Sequence, residues 1–384
     1  MSQTLACPYA GKCSGCGWIH LSYEEQVRQK TQNFRERLEV FQQQHGPISQ
    51  IHSLDDLISY KSFQASGLRD RLDFVVHNQC FGLYSQRPEL VDIQQCLQLS
   101  SSLQEFYADF RKVSFPDLHG SFRLRVSPTG ERGIWLDFSN VDIKRLLDKK
   151  QTLLQLQEMA HVEMGQRHKA LVTKPDSQLG LGDPEWRPWF QSHLGPQNVD
   201  IFSTVAAFTQ PSHVTNAWIT KTLASWFMDF KSHTVLEFGS GIGNLTLPAL
   251  SYEKTRVISL ELDRMAAAAQ ESTLKHHGLR DRVELHIGDF RRKLTGTISS
   301  LDTLLVNPAR NGVGQLFDLV FEAVGSQKPA FWPRHIVYMS CYPESFFLDI
   351  QRLVANGYSA DQIILVDQFT QTRHIEVLSR WTLL

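Results

Sequence analysis

The chain is predicted to be an α/β protein: a C-terminal doubly wound, seven-stranded, Rossmann-like domain behind a smaller β-rich (α+β) region that carries a cysteine cluster. Three observations predict this. From about Ile201 onward, short runs rich in Val, Ile and Leu alternate with helix-length stretches, which is the rhythm of a mostly parallel sheet covered on both faces. Residues 60–150 instead hold short alternating runs broken by turn residues, the mark of antiparallel strands. The length, 384 residues, suits two or three domains.

Composition narrows the class. With 42% hydrophobic and 21% charged residues, the chain is an ordinary globular protein and not collagenous, disordered or disulfide-knotted. No stretch approaches the ~18 apolar residues of a membrane span, and residues 1–20 lack a basic segment followed by an apolar one. A soluble, cytoplasmic protein is expected. The formal net charge is −1, and acidic and basic residues balance on both sides of Asp200. Neither half is a basic arm, so nucleic-acid binding has to rest on motifs.

Taken in order, the elements follow from local pattern. Cys7, Cys13 and Cys16 crowd the first 20 residues, while Cys80, Cys96 and Cys341 lie far apart. In a cytosolic chain such close spacing points to metal or catalysis rather than disulfides. Residues 21–43 place Val27, Phe34, Leu38 and Phe41 at helical spacing, which predicts an amphipathic helix. RLDFVVH, CFGLYSQ, LVDIQ, SFRLRVS and GIWLDF read as strands, and the Pro- and Gly-rich residues 175–200 as a connection. Seven further strands follow: HTVLEFG, RVISLEL, VELHIGD, LDTLLVNP, HIVYMSC, QIILVDQF and HIEVLSRW. Only Thr370 to Arg373 join the last two, too little for a parallel crossover, so that pair is predicted to be an antiparallel hairpin. The expected division is an N-terminal region, 1–200 (cysteine segment 1–20, β-rich part about 60–170), and a domain at 201–384.

The first strand of that domain runs into Glu237-Phe238-Gly239-Ser240-Gly241-Ile242-Gly243-Asn244. Glycines in this pattern let the backbone turn sharply and approach a ligand. The second strand ends at Glu261, 22 residues past Gly239, where a carboxylate can accept hydrogen bonds from ribose hydroxyls. The spacing is G-x-G-x-G and not the pyrophosphate-binding G-x-G-x-x-G. It favours S-adenosylmethionine, which has no phosphates, over NAD. Asp289 closes the third strand, within reach of an adenine.

Ligands of doubly wound sheets sit beyond the carboxyl ends of the strands. Three segments fall there: Asn307-Pro308-Ala309-Arg310, Ser340-Cys341-Tyr342-Pro343 and His374-Ile375-Glu376. Taken singly, Cys341 reads as a small buried hydrophobe and Glu376 as a solvated charge on an edge strand. Together they form a workable site. Carbon 5 of uracil becomes nucleophilic once a thiolate adds to carbon 6. A base must then take the carbon-5 proton so that the thiol is eliminated.

These segments resemble the RNA uracil-C5 (5-methyluridine) methyltransferase family. Its catalytic motif is close to S-C-N-P, its loop is D-P-P-R or N-P-P-R, its ending is close to D-x-F-P-x-T-x-H-x-E, and F-x-Q-x-N precedes the first strand. Here those read Ser340-Cys341-Tyr342-Pro343, Asn307-Pro308-Ala309-Arg310, Asp367 to Glu376, and Phe208-Thr209-Gln210-Pro211-Ser212. The resemblance implies a class I methyltransferase domain with Cys341 as nucleophile and Glu376 as base. Gln210, Gly239, Asn244, Glu261, Asp289 and Asn307 would line the site of the methyl donor, S-adenosylmethionine. Tyr342, Ala309, Ser212, Thr370 and Gly239 depart from the family pattern, which marks a divergent member.

Family members acting on 23S ribosomal RNA carry C-x5-C-x2-C and a fourth Cys further on, holding a 4Fe-4S cluster. Cys7, Cys13, Cys16 and Cys96 match. Spacing alone leaves zinc and iron–sulfur open; the resemblance implies iron–sulfur, and Cys80 is the alternative fourth ligand. Only six residues precede Cys7, so the TRAM barrel of many relatives is expected to be absent. By the same resemblance the partner is RNA, with a loop or single-stranded segment of 23S ribosomal RNA favoured, since the target base must leave its stack. No membrane or DNA partner is expected, and the chain is expected to be a monomer. Arg69, Arg71, Arg123, Arg125 and Arg132 are candidate phosphate contacts. The alternatives are the same chemistry on transfer RNA or another RNA, a cytosine-C5 methyltransferase, and a non-catalytic iron–sulfur RNA-binding relative.

Overall fold

The computed structural model describes residues 4–51, 53–85, 89–115, 119–138, 141–165, 168–175, 178–289, 301–323 and 332–384. They divide into two compact units. One comprises the residues up to Ser22, Gln64–Gln191 and Asp200–Asn216; the other comprises Tyr23–Phe63, Ser192–Val199 and Ala217–Leu384.

Helix α1 (Tyr23–His45), the single turn α2 (Leu54–Leu57) and strand β1 (Ile58–Lys61) open the second unit. The chain then passes to the first unit. There it forms β2 (Arg71–His77), β3 (Cys80–Tyr84), β4 (Leu90–Asp92), α3 (Ser101–Phe110), β5 (His119–Val126) and β6 (Arg132–Asp137). Next come α4 (Ile143–Asp148), α5 (Lys150–Met159), β7 (His161–Met164), β8 (Lys169–Thr173) and β9 (Leu179–Gly182). Strands β10 (Arg187–Leu194) and β11 (Gln197–Ser203) pair with each other, their residues divided between the units. Helix α6 (His213–Phe230) leads into β12 (Thr234–Phe238), α7 (Thr246–Ala249), β13 (Arg256–Glu261), α8 (Arg264–His276), β14 (Val283–Ile287) and β15 (Thr303–Val306). The chain ends with α9 (Leu316–Ala323), β16 (His335–Ser340), α10 (Pro343–Ala355), β17 (Tyr358–Val366) and β18 (Glu376–Leu383).

The first unit is an eight-stranded sheet in the order β4-β3-β2-β5-β6-β7-β8-β9, antiparallel except for the β6–β7 pair. Alternation drives it: Leu72, Phe74 and Val76 of β2 point inward between exposed or half-buried neighbours. Helix α3 buries Leu103, Phe106, Tyr107 and Phe110, spaced as one helical face, and the Ser100 hydroxyl caps it at Leu103 N. The core is aromatic, with Phe110 and Phe122 at a 4.6 Å centroid separation and Phe81 edge-on to both. Burying each such ring stabilises the unit by roughly 1.5–3 kcal/mol. Residues 175–200, expected as a connection, instead supply β9, β10 and most of β11. Their Gly and Pro content misleads because β9 is an edge strand, where the ladder tolerates such residues.

The second unit is an eight-stranded sheet in the order β1-β17-β18-β16-β15-β12-β13-β14. Every pairing is parallel except those of β18, which runs antiparallel to both its neighbours, as the short Thr370–Arg373 link requires. All seven expected strands form. The eighth is β1, which pairs in parallel with β17 from Ile58↔Ile363 to Lys61↔Val366. Helix α1 packs on α10 through Phe34 against Phe346 and Phe347 (5.9 and 5.2 Å between centroids) and through Phe41 against Phe347. Residues 23–63 thus group with the parallel sheet and not with the N-terminal region, so the division differs from a single cut after residue 200. No helix among the described residues is long and apolar enough to cross a membrane.

Candidate active site

The parallel strands β14, β13, β12, β15 and β16 end on one edge of the sheet, and β18, running the other way, begins there. Each strand delivers one group to that edge, about 4.8 Å from the next. In spatial order they are Asp289 beyond β14, Glu261 at the end of β13, the glycine loop after β12, Asn307 after β15, Cys341 after β16, and Glu376 at the start of β18. Residues far apart in the chain become a contiguous row.

The glycine loop is shaped for a ligand. Gly239, Gly241 and Gly243 have φ of +66°, +59° and +90°, a region that side chains other than glycine rarely enter. A Cβ on Gly239 or Gly241 would meet nothing within 4 Å, whereas one on Gly243 would strike the Gln270 side chain at 2.9 Å. The first two glycines therefore border open space and the third packs closely. Ser240 Oγ donates to Gln270 Oε1 at 2.8 Å, and Gln270 Nε2 donates to Thr246 and Ser259. Glu261 accepts from Gly241 N at 2.6 Å and from Asp263 N at 2.7 Å, one bond per oxygen, which leaves acceptor capacity for a ligand. Asn244 is half-buried, its carbonyl bonded by Ser192 Oγ at 2.6 Å; Asn307 is half-buried and Asp289 exposed. Below the loop, Glu237 is 2% exposed. Burial pushes its carboxyl up to about 8, with Thr246 Oγ1 donating against the trend and Glu261 adding to it.

Cys341 and Glu376 both lie at the end of the β16–β18 ladder, close enough for the Glu376 charge to act on the thiol. Strands β16 and β18 pair Met339↔Leu378 and, as the last rung, Ser340↔Val377, so Cys341 and Glu376 each directly adjoin that final pair. Burial first, then the Glu376 charge, raises the Cys341 thiol above its ordinary value; Arg310 opposes both with its charge and a hydrogen bond. Glu376 is 2% exposed, and burial pushes its carboxyl up to about 8 although Gln368 Nε2 donates to it at 2.5 Å. The Asn307–Arg310 loop is anchored just downstream by Asp349 of α10. That carboxylate accepts from Val313 N (2.6 Å), Gly314 N (2.9 Å) and Tyr338 OH (2.6 Å).

Gln210 belongs to the first unit, unlike the other cofactor candidates. Its segment is fixed there by arginines: Arg71 donates to Thr209 O, and Arg125 to Thr204 O, Ala207 O and Thr209 Oγ1. Arg125 is 2% exposed, and Arg71 and Arg123 both pair with Asp73. Arg132 pairs with Asp109, so four of the five candidate phosphate contacts hold the protein's own backbone or carboxylates.

The N-terminal cysteines gather within the first unit. Burial first, then the thiols of Cys96 and Cys13, pushes Cys16 up to about 12, and Cys7 also acts on Cys13, Cys16 and Cys96. Cys80 responds to Asp92 and Arg111 and to none of these thiols. Side chains tie the segment down: Ser14 Oγ donates to Tyr84 O, Gln94 N to the Tyr9 hydroxyl and Cys96 N to Gln104 Oε1. Arg111 adds a two-armed bond to Asp92. The donor set, four sulfurs within one unit, is chemically suited to zinc or an iron–sulfur cluster. Yet among the described residues no three His, Cys, Asp or Glu side chains are drawn close enough to hold a metal ion.

Reading the sequence alone missed Gln368, Asp349 and two buried polar residues of α1, Gln26 and Lys30. A signal for the last two was present, because they extend the Phe34–Leu38 stripe at intervals of four.

Comparison with known proteins fits this geometry. No family model matches the chain. Its fold matches the Pyrococcus abyssi tRNA (uracil-54, C5)-methyltransferase crystallised with S-adenosyl-L-homocysteine, with TM-score 0.68 and 17% identity, covering 99% of this chain and 88% of that one. The fold is thus that of a class I methyltransferase. An uncharacterized RNA methyltransferase of Bdellovibrio bacteriovorus is 39% identical over 386 residues, 98% of this chain and 94% of that protein. The 23S rRNA (uracil(1939)-C(5))-methyltransferase RlmD of Shewanella halifaxensis is 25% identical, over 98% of this chain and 81% of its own. The chain belongs to a family of RNA methyltransferases.

Proposed function

We propose that the protein methylates carbon 5 of a uridine in RNA, with a 23S ribosomal RNA loop or single-stranded segment as the favoured substrate. The carrying observation is that Cys341 and Glu376 adjoin the last rung of the β16–β18 ladder, at the edge where β15 and β12 deliver Asn307 and the glycine loop. S-adenosylmethionine supplies the methyl group when bound. The chain's candidates to hold it are Gln210, Gly239, Asn244, Glu261, Asp289 and Asn307.

The chain's own groups divide the work. Arg310 favours the Cys341 thiolate, which adds to carbon 6 and makes carbon 5 nucleophilic. After methyl transfer Glu376 takes the carbon-5 proton, the 5,6 double bond re-forms and the thiolate leaves. A carboxyl held at about 8 is a far stronger base than an exposed one and is matched to work near neutrality.

Support for ribosomal RNA comes from the RlmD relatives, which span 97–99% of this chain, and from the four cysteines. Cys7, Cys13, Cys16 and Cys96 are proposed to hold a 4Fe-4S cluster that ties the N-terminal segment to the β-rich sheet of its unit, zinc being the other metal this donor set suits. The protein is proposed to act in the cytoplasm. Nucleoside mass spectrometry of RNA from a strain lacking the gene tests the reading. Loss of a 5-methyluridine from 23S RNA, restored by wild type and not by Cys341→Ala, is expected. Loss from transfer RNA alone would move the substrate there, and no change in either pool would overturn the reading.

A further inference from the structure

The buried stripe of α1 changes character along its length. Phe34, Leu38 and Phe41 pack on apolar neighbours, but the two preceding members are Lys30, 3% exposed, and Gln26, fully buried. Lys30 Nζ donates to Asp367 Oδ1 at 2.7 Å and to Phe369 O at 3.1 Å, while the Tyr60 hydroxyl donates to the other Asp367 oxygen at 2.9 Å. Gln26 and Gln371 bond reciprocally: Gln26 Nε2 to Gln371 Oε1 at 2.8 Å, and Gln371 N to Gln26 Oε1 at 2.9 Å. Gln371 has φ +65°, a conformation that surrounding structure has to enforce on a residue other than glycine.

All of these bonds end on the link between β17 and β18. Lys30 holds the residues on either side of Gln368, and Gln368 is the donor to Glu376. A buried ion pair is a poor device for stability, since an apolar replacement often serves as well. Its geometric definition is what an apolar contact lacks.

We propose that Gln26 and Lys30 are positioning residues for the second half of the reaction, holding the 367–371 link so that Gln368 keeps the Glu376 carboxyl aimed at the carbon-5 proton. This rests on the reading above. Thiol addition and methyl transfer use Cys341, which follows β16, and do not depend on the link. In the step at issue, the carbon-5 proton passes to Glu376, the C–H electron pair re-forms the 5,6 double bond, and the sulfur–carbon 6 bond breaks to release thiolate. Loosening the link therefore slows release and leaves addition intact.

The test is single-turnover reaction of Gln26→Met with a uridine-containing 23S RNA fragment and labelled methyl donor. Released 5-methyluridine and label trapped on protein in denaturant are followed together. Released product should form roughly ten- to a hundredfold more slowly, with methylated adduct accumulating through Cys341. Because Lys30→Met alone would strand a buried carboxylate, Lys30→Met is combined with Asp367→Asn and should give the same split. Addition and release slowed equally, or neither slowed, in folded variants would overturn the proposal. If the wild-type protein itself forms neither adduct nor product on uridine RNA, the functional reading fails instead.

Discussion

The carboxyl edge of the parallel sheet and the cysteine segment hold their groups by different means. Along the edge, the groups sit at or just past the ends of strands held by backbone ladders, on both sides for every one but β14, and Cys341 and Glu376 adjoin the last rung between β16 and β18. In the first unit, Cys7, Cys13 and Cys16 lie in irregular chain flanking short turns, and Cys96 follows β4. Individual side chains fix them: Tyr9, Ser14, Gln104 and the Arg111–Asp92 pair. A site built on strand ends is rigid before anything binds. One built on irregular chain gains definition from what its side chains hold.

Breaking the edge should have the largest effect. Cys341→Ala is expected to abolish 5-methyluridine formation while RNA affinity, measured by filter binding at fixed salt, stays within about threefold of wild type. Retained methylation would remove Cys341 from its role. Glu376→Gln should lower turnover by roughly a hundred- to ten-thousandfold and leave RNA–protein adduct visible on a denaturing gel.

On the cysteine side, Cys96→Ser should lose any bound iron, read at its visible absorption, and lower Tm by about 4 °C for each kcal/mol of stability lost. Single-turnover methylation of a saturating RNA should fall far less than in either edge variant. Equal loss of methylation would show that the two regions are not separable.

The smallest effect is a pH dependence of stability. Glu237 and Glu376 are held at about 8 in the folded protein, against 4.5 for an ordinary Glu. Between those values the folded state binds more protons than the unfolded, so this stability is present below about 4.5 and is lost as pH rises through about 8. The urea midpoint should decline across that window, and Glu237→Gln should flatten the decline. A midpoint that rose with pH, with no change in Glu237→Gln, would contradict the buried, uncompensated carboxyl. In the same window activity should rise with pH, because both the thiolate and the Glu376 carboxylate are the working forms.

Much of the edge was legible from residues alone. Strand periodicity, the glycine spacing and the acidic end of β13 are local patterns, and a short hairpin link dictates an antiparallel last strand whatever surrounds it. The first unit was less legible: β9 and β10 hide behind Pro and Gly because edge and hairpin strands tolerate them. Arg125 looked like a surface cation and is instead buried on the carbonyls of Thr204 and Ala207.

The sequence by itself determined the α/β class, the seven strands and the glycine loop, and it singled out Cys341 and Glu376 as candidates, since each depends on neighbours a few residues away or on a compact motif. Only the tertiary structure decided that α1 and β1 join the parallel sheet. It also decided that Lys30 meets Asp367 across 337 residues, and that Gln368 donates to Glu376. Such contacts are chosen by which buried polar groups must satisfy one another once the chain has folded; the helical stripe marks Gln26 and Lys30 as buried but does not say which residues 300 and more positions away they meet.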